Sequence, residues 1–260
     1  MVNLGKYPFL RYSLITILTL LFVVGCKSNH SVTTISGKEI KLVDSLPNAQ
    51  QVTDFILPYK KNLDQKLDTL LCYNPIALDK SSGKWQTNIG NWLAQSCYEI
   101  CNPICERNFN TKIDLVLFNH GGIRSNLPKG DVTLRNAFKI MPFENTAVVE
   151  TLDAGQIREI CQYMIVEEKP HPLYGLSFTI DEKGLAADIK IQGKPLDNSK
   201  TYRVLTSDYL ANGGDKMTFF QKSKKRLDLQ LKLRDAIIQS FKKNKTVQFS
   251  NEVLITDKRS

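Results

Sequence analysis

The chain of 260 residues is 42% hydrophobic and 23% charged, with 14 Gly, 10 Pro and a formal net charge of +9. That balance supplies a packed core and excludes a collagen-like, solenoid or intrinsically disordered chain. The 3 His, at His30, His120 and His171, are too scattered to make a metal cluster of their own.

At the N-terminus, Lys6 and Arg11 precede an apolar run over residues 14–24, and Val23-Val24-Gly25-Cys26 follows. A basic segment, a short apolar stretch and small residues before a cut site read as an export signal, too short for a comfortable membrane span. The tetrapeptide resembles a bacterial lipobox. That resemblance implies a signal peptide over residues 1–25, lipidation at Cys26, a polar tether over 26–47 and a folded domain over 48–260. The domain would then be exported and held at a bacterial membrane on its periplasmic or surface face. An ordinary signal peptide with an incidental Cys26 is the other reading. Cleavage removes Lys6 and Arg11 but no acid, so the net charge falls from +9 to +7.

Ile56, Leu63, Leu67, Leu70 and Leu71 predict a first helix, and residues 88–100 a second, stopped near Pro103. Cys97, Cys101 and Cys105 share one face of that second helix. With Ile89, Trp92 and Leu93 nearby, they read as buried thiols. A disulfide to Cys72 or Cys161 stays open, since pairing is not readable from sequence. Residues 113–118 form an apolar strand that feeds Asn119-His120-Gly121-Gly122.

A turn over residues 127–131 leads to a helix over 133–140, ended by Pro142, and then to a strand over 147–152. Asp153 with Gln156 predicts a capping box opening a helix to about Ile165. Further strands are expected at 176–180, 187–191, 202–206 and 253–255. Between Lys222 and Lys245, nine Lys or Arg face two acids, while Leu229, Leu233, Ile237 and Phe241 repeat at helical spacing. The run reads as the solvated face of a helix. With no helix-turn-helix, zinc finger or aromatic RNA-binding motif beside it, nucleic acid is not expected as a partner. The fold class is α+β, a mixed α-β sheet in one domain.

Three loops carry chemistry that packing does not require. Asn119-His120-Gly121-Gly122-Ile123-Arg124 joins a backbone open to close approach with a forked cation. Pro142-Phe143-Glu144-Asn145 sets an aromatic beside an amide. Tyr209 precedes Asn212-Gly213-Gly214-Asp215, an aromatic before a Gly-Gly turn and a carboxylate. Two aromatic faces can sandwich a heterocycle, a carboxylate can accept from vicinal hydroxyls, and an Arg can meet a phosphate. The composite is nucleotide-shaped.

In order and spacing these loops resemble the C-terminal, substrate-binding domain of 5'-nucleotidases, as do Thr87-Asn88-Ile89-Gly90-Asn91, Gly130-Asp131-Val132-Thr133 and Leu233-Arg234-Asp235-Ala236-Ile237. The resemblance implies that Phe143 and Tyr209 stack on the two faces of the base, each ring contributing on the order of 1–3 kcal/mol. It further implies that Asp215 binds the ribose hydroxyls, Asn145 the base, and Asn119 and Arg124 the ribose and phosphate end, while Gly175 lets the base seat closely. Where that family carries Arg ahead of the Thr-Asn segment, this chain has Lys84, a point charge in place of a fork.

The family's N-terminal metallophosphatase half, with its dinuclear site, has no counterpart in these motifs. His120 belongs to the substrate loop by the Gly-Gly-Ile-Arg that follows it. No catalytic residue, metal ligand or cofactor is therefore expected in this chain. It is expected to bind a nucleotide or nucleoside and to contribute that binding to hydrolysis, with a separate metallophosphatase subunit supplying divalent metals. A surface nucleoside-binding lipoprotein with no hydrolytic role is the alternative.

Overall fold

The computed structural model describes residues 8–23, 34–41, 43 and 46–259. Cys26 and the residues flanking it lie outside that set. The chain divides into two compact units, Met1–Val52 and Thr53–Ser260. The first contains α1, Pro8–Val23. No described helix is long and apolar enough to cross a membrane.

Helix α2, Gln50–Leu67, buries none of its side chains. Leu70 and Leu71 do not extend it. They open β1, Leu70–Asn74, whose Cys72 and Asn74 alternate inward. The leucine spacing continues across the break, which is why the sequence alone predicts one longer helix there.

Helix α3, Asn88–Phe109, is capped by the Thr87 side chain and runs through Pro103 to a left-handed Asn110. The expected stop fails for a physical reason. Pro103 is on the exposed face, so its ring displaces no core packing. On the opposite face Cys97, Cys101 and Cys105 are fully buried, and that packing carries the helix past the imino acid. All three thiols are free, as are Cys72 and Cys161. Trp92 of α3 stacks on Phe241 with ring centroids 5.0 Å apart.

The remaining elements follow in order: β2 (Leu115–Leu117), β3 (Gly130–Thr133), α4 (Leu134–Ile140), β4 (Thr146–Asp153), α5 (Ala154–Glu167), β5 (Leu173–Tyr174), β6 (Leu176–Ile180), β7 (Ala186–Ile191), β8 (Lys194–Pro195), β9 (Thr201–Ser207), α6 (Asp208–Ala211), β10 (Arg226–Lys232), α7 (Leu233–Lys243) and β11 (Ile255–Asp257). The Asp153–Gln156 capping box is present in both directions, at 3.1 and 2.8 Å. The basic run is only half helical. Leu227 and Leu229 alternate inward along β10, and α7 begins at Leu233, so the spacing of Leu229 to Leu233 spans a strand–helix junction.

The central sheet has the order β10-β4-β9-β2-β5, with β2 parallel to β9 and the other neighbours antiparallel. A second sheet, β11-β6-β7-β8, and the β1-β3 pair complete a mixed α-β architecture. The core gathers the inward side chains of β2, β4 and β9 with the apolar faces of α3, α5 and α7.

Candidate functional site

Register decides which loops meet. β2 and β9 run parallel, pairing Leu115 with Val204 and Val116 with Leu205, so both C-terminal ends leave the sheet on the same edge. From β2 the chain enters the Asn119 loop; from β9 it enters α6, which carries Tyr209. β4 runs antiparallel to β9 with Ala147 opposite Ser207, which brings its N-terminal end, and Asn145 just before it, to that edge too. The Thr146 N–H donates to Asp208 Oδ1 at 3.1 Å across the junction. The carboxyl ends of parallel strands are where open α/β sheets place their ligand clefts.

A cleft of about 350 Å³ lies there, lined by Asn119, Arg124, Phe143, Asn145, Tyr209 and Asp215, with Gly121 and Gly122 between them. Six of the seven residues expected to hold a nucleoside are thus drawn together from three distant segments. Phe143 and Tyr209 are 39% and 47% exposed, unusually open for aromatic rings of a folded core. The Arg124 guanidinium is 5.8 Å from the Phe143 ring and forms no ion pair among the described residues. Its own N–H is fixed to Ile140 O at 2.9 Å, so the backbone is anchored while the charge stays free.

Asp215 is held by three groups. Asn119 Nδ2 donates to its Oδ2 at 2.6 Å, Tyr209 OH to its Oδ1 at 2.9 Å, and Tyr163 OH to its backbone oxygen at 2.8 Å. The hydrogen bond to Asp215 is the main cause that raises the Tyr209 hydroxyl above its ordinary value, so Tyr209 stays a donor. Burial raises that of Tyr163 in the same sense. The Gly-Gly turn has two separate requirements. Gly213 has φ +90°, and at Gly214 a Cβ would come within 2.5 Å of the Tyr209 ring. Only a bare Cα lets the ring lie against the turn that carries Asp215.

The Phe143 loop is clasped from α7. Arg234, 5% exposed, donates to Phe143 O at 3.2 Å and Met141 O at 3.4 Å, pairs with Glu144, and lies 4.2 Å over the Phe138 ring. Lys232 also pairs with Glu144, and the hydrogen bonds from Arg234 and then Lys232 pull the Glu144 carboxyl down to about 2. The Leu233 N–H donates to Asn145 O at 2.9 Å. On the other rim, Lys80 Nζ donates to Ile123 O at 2.6 Å, setting a cation beside the Arg124 loop. Sequence reasoning gives Arg234 no role at the site and misses Tyr163 and Lys80 altogether. Each acts on backbone dozens of positions away, and none sits in a loop of telling composition.

Two expected site residues lie elsewhere. Gly175 joins β5 to β6 at φ +77°, and a Cβ there would meet Asp114 O at 2.7 Å and Gln192 Nε2 at 2.5 Å. Asp114 precedes β2 at the end opposite the cleft, so this glycine serves a close backbone crossing and not a base. Lys84 is engaged by Glu168 at 3.3 Å and Asp257 at 3.8 Å and does not line the cleft. His120 lines a neighbouring concavity; burial and the charge of Lys80 lower its pKa. Among the described residues no group of three or more His, Cys, Asp or Glu is arranged to hold a metal ion.

Comparison with known proteins agrees with this architecture. Residues 74–222 match the model of the family described as 5'-nucleotidase, C-terminal domain. The chain is 32% identical over 222 residues to Protein UshA of Escherichia coli K12, covering 81% of this chain and 36% of that protein. It is 22% identical over 245 residues to an apyrase of Tabanus yao, covering 86% of this chain and 44% of that one. Among solved structures, a 5'-nucleotidase precursor from Thermus thermophilus superposes with a TM-score of 0.67 at 22% identity, over 81% of this chain and 44% of its own. The chain therefore spans less than half the length of each of these relatives.

Proposed function

Because this chain belongs to the 5'-nucleotidase C-terminal domain family, we propose that it binds a nucleotide or nucleoside in the cleft at the end of β2, β4 and β9. The base stacks between Phe143 and Tyr209, with Asn145 at its edge. The ribose hydroxyls donate to Asp215, and Arg124 meets the phosphate. The observation that carries this reading is the convergence of those six residues, from three segments, on one cleft with its aromatic rings open.

In hydrolysis of nucleoside phosphates, this chain's residues would bind and orient. Asp215, fixed by Asn119 and Tyr209, sets the ribose, and the unpaired Arg124 directs the phosphate out of the cleft. We place the divalent metals and the attacking water on a metallophosphatase supplied by a separate subunit. The basic leader and Val23-Val24-Gly25-Cys26 support an exported lipoprotein held at a bacterial membrane through Cys26. A nucleoside-binding lipoprotein with no hydrolytic role would use the same cleft.

Isothermal titration with AMP and adenosine tests the site. We expect binding by the wild type and its loss in the Phe143→Ala, Tyr209→Ala double variant; equal binding by both proteins would overturn the assignment. Phosphate release from AMP separates the two roles. We expect it when a metallophosphatase domain and a divalent metal are added, faster than from that domain alone. No acceleration favours the purely binding role.

A further inference from the structure

We propose that a second concavity, on the far side of Asp215, is a phosphoryl subsite that takes a substituent on the 2' or 3' oxygen of the nucleoside. This rests on the reading that the ribose hydroxyls face Asp215.

The concavity, about 340 Å³, is walled by His120, Tyr163, Glu167, Lys169, His171 and Lys216. It meets the nucleoside cleft at Gly121 and Asp215, which line both. A Cβ on Gly121 would lie 3.5 Å from Asn119 Nδ2 and 3.9 Å from Asp215 Oδ2, so the missing side chain leaves the space above the carboxylate open between the two.

His171 is the group that calls for a ligand. It is 3% exposed, and its Nδ1 accepts the His120 N–H at 3.2 Å. The ring is neutral, burial holding its pKa down to about 4, so its one proton is on Nε2. That N–H is buried with no hydrogen-bond partner. Leaving such a donor unpaired costs on the order of 1–3 kcal/mol.

The charges decide what fits. Glu167 is engaged by Lys169 at 2.7 Å, and the Asp215 oxygens by Asn119 and Tyr209. Lys216 has no ion-pair partner among the described residues. What the wall holds in reserve is therefore the Lys216 ammonium and the His171 imidazole N–H, since Lys169 is already paired with Glu167. A phosphoryl group is the acceptor-rich anion that suits such donors. With the diol at Asp215, the 2' and 3' oxygens are the ligand atoms at the shared boundary. One carries the phosphoryl group across Gly121 while the other hydroxyl stays on the carboxylate.

The test is titration of the full chain with adenosine, adenosine 2'-phosphate and adenosine 3'-phosphate. We expect at least one phosphate to tighten binding over adenosine by on the order of tenfold. That ratio should fall to near one in Lys216→Met and return in Lys216→Arg. The side chain is exposed, so neither variant disturbs the core. If adenosine binds but neither phosphate tightens it, or if Lys216→Met keeps the full ratio, the subsite is overturned and the nucleoside cleft stands. If adenosine itself does not bind, both readings fall.

Discussion

The Asn119 amide and the Asp215 carboxylate meet at 2.6 Å although they stand 96 positions apart in the chain. The contact ties the loop after β2 to the turn after α6 and presents the carboxylate in one orientation. Replacing Asn119 with Leu removes that donor and frees the carboxylate. We expect adenosine binding to weaken on the order of tenfold with little change in melting temperature, read by titration and thermal unfolding.

Gly214→Ala tests the ring rather than the carboxylate. The backbone there has no positive φ, so the fold tolerates alanine, but the new methyl would press on Tyr209 at 2.5 Å. The ring must move. Nucleoside affinity should drop by up to the contribution of one stacked aromatic, on the order of 1–3 kcal/mol, with an unchanged far-UV circular dichroism spectrum. Wild-type affinity in this variant would show that Tyr209 is not a stacking face.

Arg234→Met breaks the clasp on the Phe143 loop and strands the Met141 and Phe143 carbonyls. A loss of about 1–3 kcal/mol in urea unfolding is expected, together with weaker nucleoside binding. Glu144→Gln, which keeps those carbonyl bonds, should cost less on both measures. Comparing the two separates the clasp from the ion pair.

His171 links stability to pH. Burial, then the charges of His120 and Lys169, depress its pKa from 6.5 to about 4, against the opposite pull of Asp215 and Glu167. Between those values the unfolded chain binds the proton and the folded chain does not, so stability is complete above about 6.5 and is lost as pH falls toward 4. Urea midpoints at pH 7 and pH 5 should differ in that sense, and His171→Gln should flatten the dependence.

The thiols give a simpler check. Desolvation pushes Cys101 and Cys161 up to about 12 and Cys72 to about 11, and Cys97 and Cys105 move the same way. A maleimide or alkylating reagent at neutral pH should leave all five unmodified in the native protein and label them after denaturation.

Two of the three site loops were legible because Gly-Gly stands close to an Arg or an Asp, and the third, Pro142 to Asn145, because an aromatic stands beside an amide at a helix end. Residues 115–118 announced a buried strand by being an unbroken apolar run after Asp114, and Asp153 with Gln156 marked a helix start through purely local hydrogen bonds. What was not legible depends on distant partners. Pro103 predicts a helix end by its own geometry, and only the buried Cys97, Cys101 and Cys105 stripe overrides it. Leu227 and Leu229 follow a strand period, but Leu229, Leu233 and Ile237 mimic a helix across the junction. A glycine such as Gly175 signals a tight crossing without saying at which end of β2 it falls. Arg234 grips backbone 91 positions away, and no local pattern foretells that.

The parallel pairing of β2 with β9, flanked by antiparallel β4, has a consequence for how the molecule responds to its ligand. None of the three rim segments holds its place until those strands have docked, so the unfolded chain offers a nucleoside nothing to bind. Ligand therefore reports on completion of the whole sheet and protects it by mass action. At a concentration 100 times Kd the gain is about 2.7 kcal/mol. A thermal shift with adenosine would thus measure assembly of the sheet, and a fragment lacking β9 should show none.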